Sequence, residues 1–121
     1  MTEPTFDRDG YPTDETLDAI TNWPSNTKDE VNQVIPFIAS AWHYPEMAKE
    51  TRPGLWVFAT GGWSGNEDLI HSLRQHRYAG LTLAWHSLHL PGGLHVYALT
   101  KDAEKELDGL FETITTWAWK S

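Results

Sequence analysis

Six histidines, a serine at a glycine-rich corner and seven tryptophans are the residues of this 121-residue chain whose types could carry chemistry. The histidines come first, because a metal centre would need several of them to converge. His86, His89 and His95 flank the turn signal Pro91-Gly92-Gly93. On a strand, His86 and His89 point to opposite faces, being an odd number of residues apart. His95 can therefore join only one of them. A two- or four-residue loop places it with His86, and a three-residue loop places it with His89; no register gathers all three. His71 and His76 are not adjacent on a helix either. Two hairpin histidines with a remote carboxylate would be the minimal set for metal-assisted hydrolysis. The expectation is instead ordinary, partly buried histidines, with no metal, no cofactor and no catalytic set.

The string Thr60-Gly-Gly-Trp-Ser-Gly-Asn-Glu67 leaves an apolar run and enters a helical pattern. Glycines let backbone approach an anion, and a helix N-terminus offers unpaired N–H groups. However, Ser64-Gly-Asn-Glu67 has the spacing of a capping box, in which the serine hydroxyl and glutamate carboxylate take up those donors. Glu67 and Asp68 also place negative charge where a phosphate would sit. No lysine follows the glycines, and neither the phosphate-loop nor the dinucleotide spacing is met. A Gly-x-Ser-x-Gly nucleophile elbow fails as well, since its second glycine falls on Asn66. A structural corner, capped by Ser64, is the expectation.

Tryptophan offers a large apolar body with one N–H and serves cores, interfaces and stacking platforms alike. Trp42, Trp56 and Trp85 lie in apolar runs and are expected in the core. Trp63, in the glycine loop, and Trp119, near the end of the sequence, are the tryptophans expected to be exposed. Together with Ser64, Asn66, Glu67 and Asp68 they form the expected binding set: an exposed indole beside carboxylates is a hot spot for a partner. The same loop, Gly61 to Asn66, would serve a nucleotide or signalling molecule if Trp63 stacked on a base.

Composition narrows the partner classes. Nine Lys and Arg against seventeen Asp and Glu give a net charge of -8. Nucleic-acid backbones and anionic membranes both require clustered basic residues, which are not supplied. The absence of cysteine removes disulfides, thiolate nucleophiles and cysteine-based zinc sites. No run approaches the length of a membrane span. A cytoplasmic location is expected.

These side chains must be positioned by a frame of alternating elements. Residues 1–12 hold Pro4, Gly10 and Pro12 and are expected as a flexible or frayed arm. Residues 13–121 are expected as one domain. Thr13 reads as an N-cap with Asp14 and Glu15 in the first turn, and Pro24 closes that helix. Thr27-Lys-Asp-Glu30 is a second capping box, opening a helix that Pro36 should kink or split. Residues 45–54 read as a loop. Leu55 to Thr60 reads as a buried strand, about 65 to 77 as a helix, 78 to 89 and 94 to 99 as a hairpin, and 102–119 as a last amphipathic helix. The order α-α-β-α-β-β-α gives an α+β fold: a small antiparallel or mixed sheet of about three strands packed by helices.

At Gly61-Gly-Trp-Ser-Gly-Asn-Glu67, with Trp85 and the Gly92-Gly93-Leu-His95-Val-Tyr97 hairpin, the chain resembles a family of short hypothetical proteins of actinobacterial phages and prophages. The resemblance covers roughly residues 11–99 and brings no activity or ligand with it. It implies a phage accessory protein that binds or blocks a host or defence macromolecule, or sequesters a signal. The leading expectation is accordingly a non-enzymatic binding protein with a host or defence protein as partner. A small-molecule binder is the alternative, and a metal-dependent hydrolase ranks behind it.

Overall fold

The computed structural model describes residues 3–76 and 85–109. Helix α1, Asp14–Thr21, starts where expected: the Thr13 hydroxyl accepts from the Thr16 N–H, and Asp14 and Glu15 occupy the first turn. The second capping signal also forms. The Glu30 N–H donates to Thr27 Oγ1 at 3.1 Å, while the Glu30 carboxylate reaches one residue further back, accepting from the Asn26 N–H at 2.9 Å.

Pro36 splits the following helix rather than bending it. Helix α2 ends at Lys28–Asn32 and α3 runs Val34–Ser40. The break falls at Gln33, three residues before the proline, which puts Pro36 in the first turn of α3, where a missing N–H costs nothing. Residues 5–12, expected to fray, close into a loop instead. Asp7 exchanges backbone and side-chain bonds with Asp9 and Tyr11, and the Thr13 N–H donates to the Thr5 carbonyl at 3.1 Å.

The sheet is antiparallel and has four strands in the order β1-β2-β4-β3: β1 Ala48–Arg52, β2 Leu55–Ala59, β3 His86–Leu90 and β4 Leu94–Ala98. Strand β1 corrects the expected loop over 45–54. Its residues Lys49, Glu50, Thr51 and Arg52 are all exposed and show no apolar alternation, so nothing in their types marks a strand. Between β2 and β3 lies helix α4, Ser64–Arg74. The first part of the expected strand over 78–89 lies outside the described residues.

Alternation along the strands separates two faces. Phe58 and Tyr97 face the core formed with Ile20, Val34, Ile35, Ile38, Leu69 and Leu73 of the helices. Leu55, Val96 and Ala98 face the other way, against Ala103 and Leu107 of a helix over 101–109, here α5. Helices thus cover both faces. The expected continuation of α5 towards 119, with Trp119, lies outside the described residues. Three buried indoles tie segments together through their N–H groups: Trp23 to the Glu30 carbonyl, Trp42 to the Ala59 carbonyl, and Trp85 to Asn32 Oδ1. Among the described residues no helix is long and apolar enough to cross a membrane.

Candidate functional site

The corner between β2 and α4 places most of the expected binding residues, and it does so for reasons of backbone geometry. Gly61 and Gly62 both have positive φ, 64° and 76°, a conformation that side chains rarely adopt. The chain then turns into α4 with Trp63 at the N-cap position. Its carbonyl accepts from the N–H groups of Asn66 and Glu67.

Ser64 therefore stands one residue inside the helix, exposed, and its hydroxyl makes no capping bond. The capping box expected from Ser64 and Glu67 does not form. The pattern is the same as at Thr27, but here the helix begins one residue earlier, so Ser64 lies past the cap. Glu67 and Asp68 are exposed on the first turns of α4.

Asn66 is fully buried, and its side chain has a task that its types of neighbour in sequence do not suggest. Its Oδ1 accepts from the His43 N–H at 2.8 Å. Its amide nitrogen donates to the His43 carbonyl at 2.9 Å and to the Thr60 carbonyl at 3.1 Å. Asn66 thus rivets the end of α3, the end of β2 and the start of α4 together, and has no atom left for a ligand.

Trp63 is half-buried, and both faces of its indole are occupied. Tyr11 stacks on one side at a centroid distance of 4.6 Å and an interplanar angle of 22°. His43 stacks on the other at 4.2 Å and 23°. Tyr44 meets His43 edge-on at 4.3 Å. The ring also lies over Gly65, where a Cβ would collide with it. Trp63 is therefore not the free stacking platform that a base would need.

What the stack creates is an exposed aromatic face. Tyr11 and Tyr44 are 37% and 43% exposed, and Met47, 41% exposed, packs with Tyr44 over Gly61. Tyr44 is the one non-glycine with positive φ among the described residues. Such backbone costs on the order of 1–3 kcal/mol and persists only where its surroundings enforce it.

On the other side of the same corner, a cleft of about 550 Å³ lies between α4 and the tip of the β3–β4 hairpin. Glu67, Asp68, Ile70, His71 and Arg74 form its helical wall, with Thr60, Gly93 and His95 opposite. The corner and the hairpin tip are joined by a bond from the Thr60 N–H to the Gly93 carbonyl at 2.9 Å. Gly93 has φ 83°, and a Cβ there would strike the Thr60 side chain.

The three-residue turn over 91–93 selects the register that places His89 opposite His95 and leaves His86 on the other face. The two Nδ1 atoms are 2.7 Å apart, so one ring donates and the other accepts. His89 Nε2 lies 3.2 Å from Ser87 Oγ. Burial, then the neighbouring His89, then Arg74 hold His95 down at about 4. Burial and Arg74 lower His89 as well. Beneath them the Tyr97 hydroxyl is buried with no hydrogen-bond partner among the described residues. Burial pushes it up to about 12, against the pull of Arg74.

Of the expected set, Glu67 and Asp68 line the cleft, Trp63 builds the aromatic face, Asn66 holds the corner, Ser64 serves neither region, and Trp119 lies outside the described residues. Sequence reasoning missed Tyr11, His43, Tyr44 and Arg74. Their signal was absent because partners as distant as Tyr11 and Trp63 meet only in the fold. Among the described residues no group of three or more His, Asp or Glu stands where it could hold a metal ion. Comparison with family models, with curated proteins and with solved structures gives no match to this chain.

Proposed function

We propose that the protein is a non-enzymatic binding protein that docks on a partner protein through the aromatic face formed by Tyr11, Trp63, His43, Tyr44 and Met47. The observation that carries this reading is the contiguity of that face. Tyr11, Tyr44 and Met47 are three of the four exposed large hydrophobic residues, with Phe6, among the described residues, and Trp63 and His43 bridge them. Tyr, Trp and Met are the residues that interfaces concentrate, because they bring large area at small entropic cost. The ladder holds its rings in place before a partner arrives, which lowers the ordering cost of association.

Asp7 and Asp9, with Arg8 between them, in the loop before Tyr11, and Glu46 between Tyr44 and Met47, leave the surroundings of the face net acidic. With the overall charge of -8, this favours a partner whose apolar contact is framed by basic residues. The phage-type resemblance makes a host or defence protein the first class to test.

The experiment is affinity capture from a bacterial lysate, with the wild-type chain beside a Tyr11→Ala, Tyr44→Ala double variant. Both side chains are exposed, so the fold should survive their loss. A specific protein retained by the wild type should be lost by about tenfold or more in the variant, as for residues at the centre of an interface. Equal retention by both chains would remove this face as the contact.

A further inference from the structure

The cleft between α4 and the hairpin tip is independent of the aromatic face, and its charges are left unsatisfied in an ordered way. Glu67 and Asp68 stand at one end and Arg74 at the other. Glu67 and Arg74 are two helical turns apart, which places them on one face and separates their backbone positions by about 10 Å. None of the three side chains makes a hydrogen bond or ion pair with a described residue. The helix wall between them carries Ile70 and the exposed His71, and Gly93 opposite offers no side chain.

The far wall adds hydrogen-bonding groups without charge. At the Arg74 end stand His95 and, behind it, His89, both disposed to stay neutral at physiological pH and so available as hydrogen-bonding groups without adding charge. The Tyr97 hydroxyl, buried and unpartnered among the described residues, feels the same guanidinium. One cation and two carboxylates, none with an ion-pair partner among the described residues, therefore face one space of a volume typical for small ligands.

We propose that this cleft binds a small zwitterion, an amine and a carboxylate held apart by an apolar spacer, with the amine at Glu67 and Asp68 and the carboxylate at Arg74. An ammonium group would be held by two carboxylates, and a carboxylate would meet a guanidinium whose planar fork matches its two oxygens. Ile70 would cover the spacer. A simple anion fits poorly, because Glu67 and Asp68 repel it. A simple cation meets the same objection from Arg74. An ω-amino acid and a short peptide with free termini share the required chemistry.

The test titrates the full chain by amide NMR with ω-aminobutyrate, ω-aminohexanoate, ω-aminooctanoate and triglycine, and with their N-acetyl and methyl-ester forms. Saturable shifts are expected along α4 and at Gly93 to His95. Affinity should rise with spacer length beyond aminobutyrate, and blocking either terminus should weaken it by about tenfold or more. Whether the longer amino acids or triglycine bind more tightly identifies which source of the chemistry the cleft prefers.

Arg74→Gln should erase the penalty for esterification while leaving that for acetylation, and the Glu67→Gln, Asp68→Asn pair should do the reverse. These positions are exposed, and Arg74→Lys, which keeps the charge and loses the fork, gives a milder version should Arg74→Gln unfold the chain. Equal affinity for free and blocked probes, shifts confined to the aromatic face, or no saturable shift with any probe would each overturn the assignment.

Discussion

The aromatic face and the cleft flank the same glycine corner, yet they are built on opposite principles. On the aromatic face every ring is in contact with another: Tyr11 with Trp63, Trp63 with His43, His43 with Tyr44. What remains exposed is apolar area, already rigid. In the cleft the charged groups do not meet. Glu67 and Asp68 are separated from Arg74 by about two turns of the helix, and the histidines opposite bond to each other instead of to Arg74. A surface whose groups satisfy one another can offer area and shape. Groups held apart offer specific attraction to something not yet present.

One residue serves both regions, and removing it gives the largest expected effect. Asn66→Ala would leave the His43 N–H, the His43 carbonyl and the Thr60 carbonyl without partners at a buried position. A loss of about 3 kcal/mol in urea denaturation is expected, since each unsatisfied buried group costs roughly 1–3 kcal/mol. A change under about 1 kcal/mol would show that the two regions do not hang on this rivet.

Acid should separate them. His95 is neutral in the folded chain down to about 4, whereas in the unfolded chain it takes up a proton near the ordinary histidine value of 6.5. Between those limits the unfolded state binds more protons, so stability rises with pH across this window and falls as pH drops through it. His89, also lowered, adds in the same direction. His95 is only half-buried, so solvent screening reduces the effect to about 1–2 kcal/mol. Urea midpoints measured from pH 4 to 7 should therefore slope more steeply in the wild type than in His95→Gln. Identical slopes would mean that the pair is not held neutral.

The smallest expected effect lies at the corner itself. Thr27 and Ser64 open the same four-residue pattern, but only Thr27 makes the bond. Thr27→Ala should cost about 1 kcal/mol, and Ser64→Ala only a few tenths. Similar costs at both sites, read by thermal denaturation, would restore the serine as a cap.

This contrast shows how far the sequence was legible. Caps at Thr13 and Thr27, the break around Pro36, the apolar run of β2 and the turn signal before β4 are local signals, and they were read. The pairing of His89 with His95 was narrowed to loop length, and the three-residue turn decided it. Ser64 was misread because a capping pattern does not reveal which residue is the cap when the preceding one can take that conformation. Strand β1 was missed because its side chains face water and its pairing with β2 supplies the order that its residue types do not. Asn66 was placed in the binding set, but its partners lie at His43 and Thr60, a proximity set by packing alone. Nothing in the sequence singled out Arg74, because its facing the hairpin tip depends on the β2–β4 pairing.

Strand β1 has a consequence for how this molecule meets others. It forms one edge of the sheet, and an open edge is a template on which foreign chains can add strands. Lys49, Glu50 and Arg52 line it with charge of both signs, the register slips between Glu50 and Arg52, and Pro53 follows at once. Each of these devices discourages main-chain pairing. That edge is defended against aggregation and against β-augmentation alike, so recognition on this side would have to come from side chains, among which Tyr44 and Met47, just before the strand, are exposed.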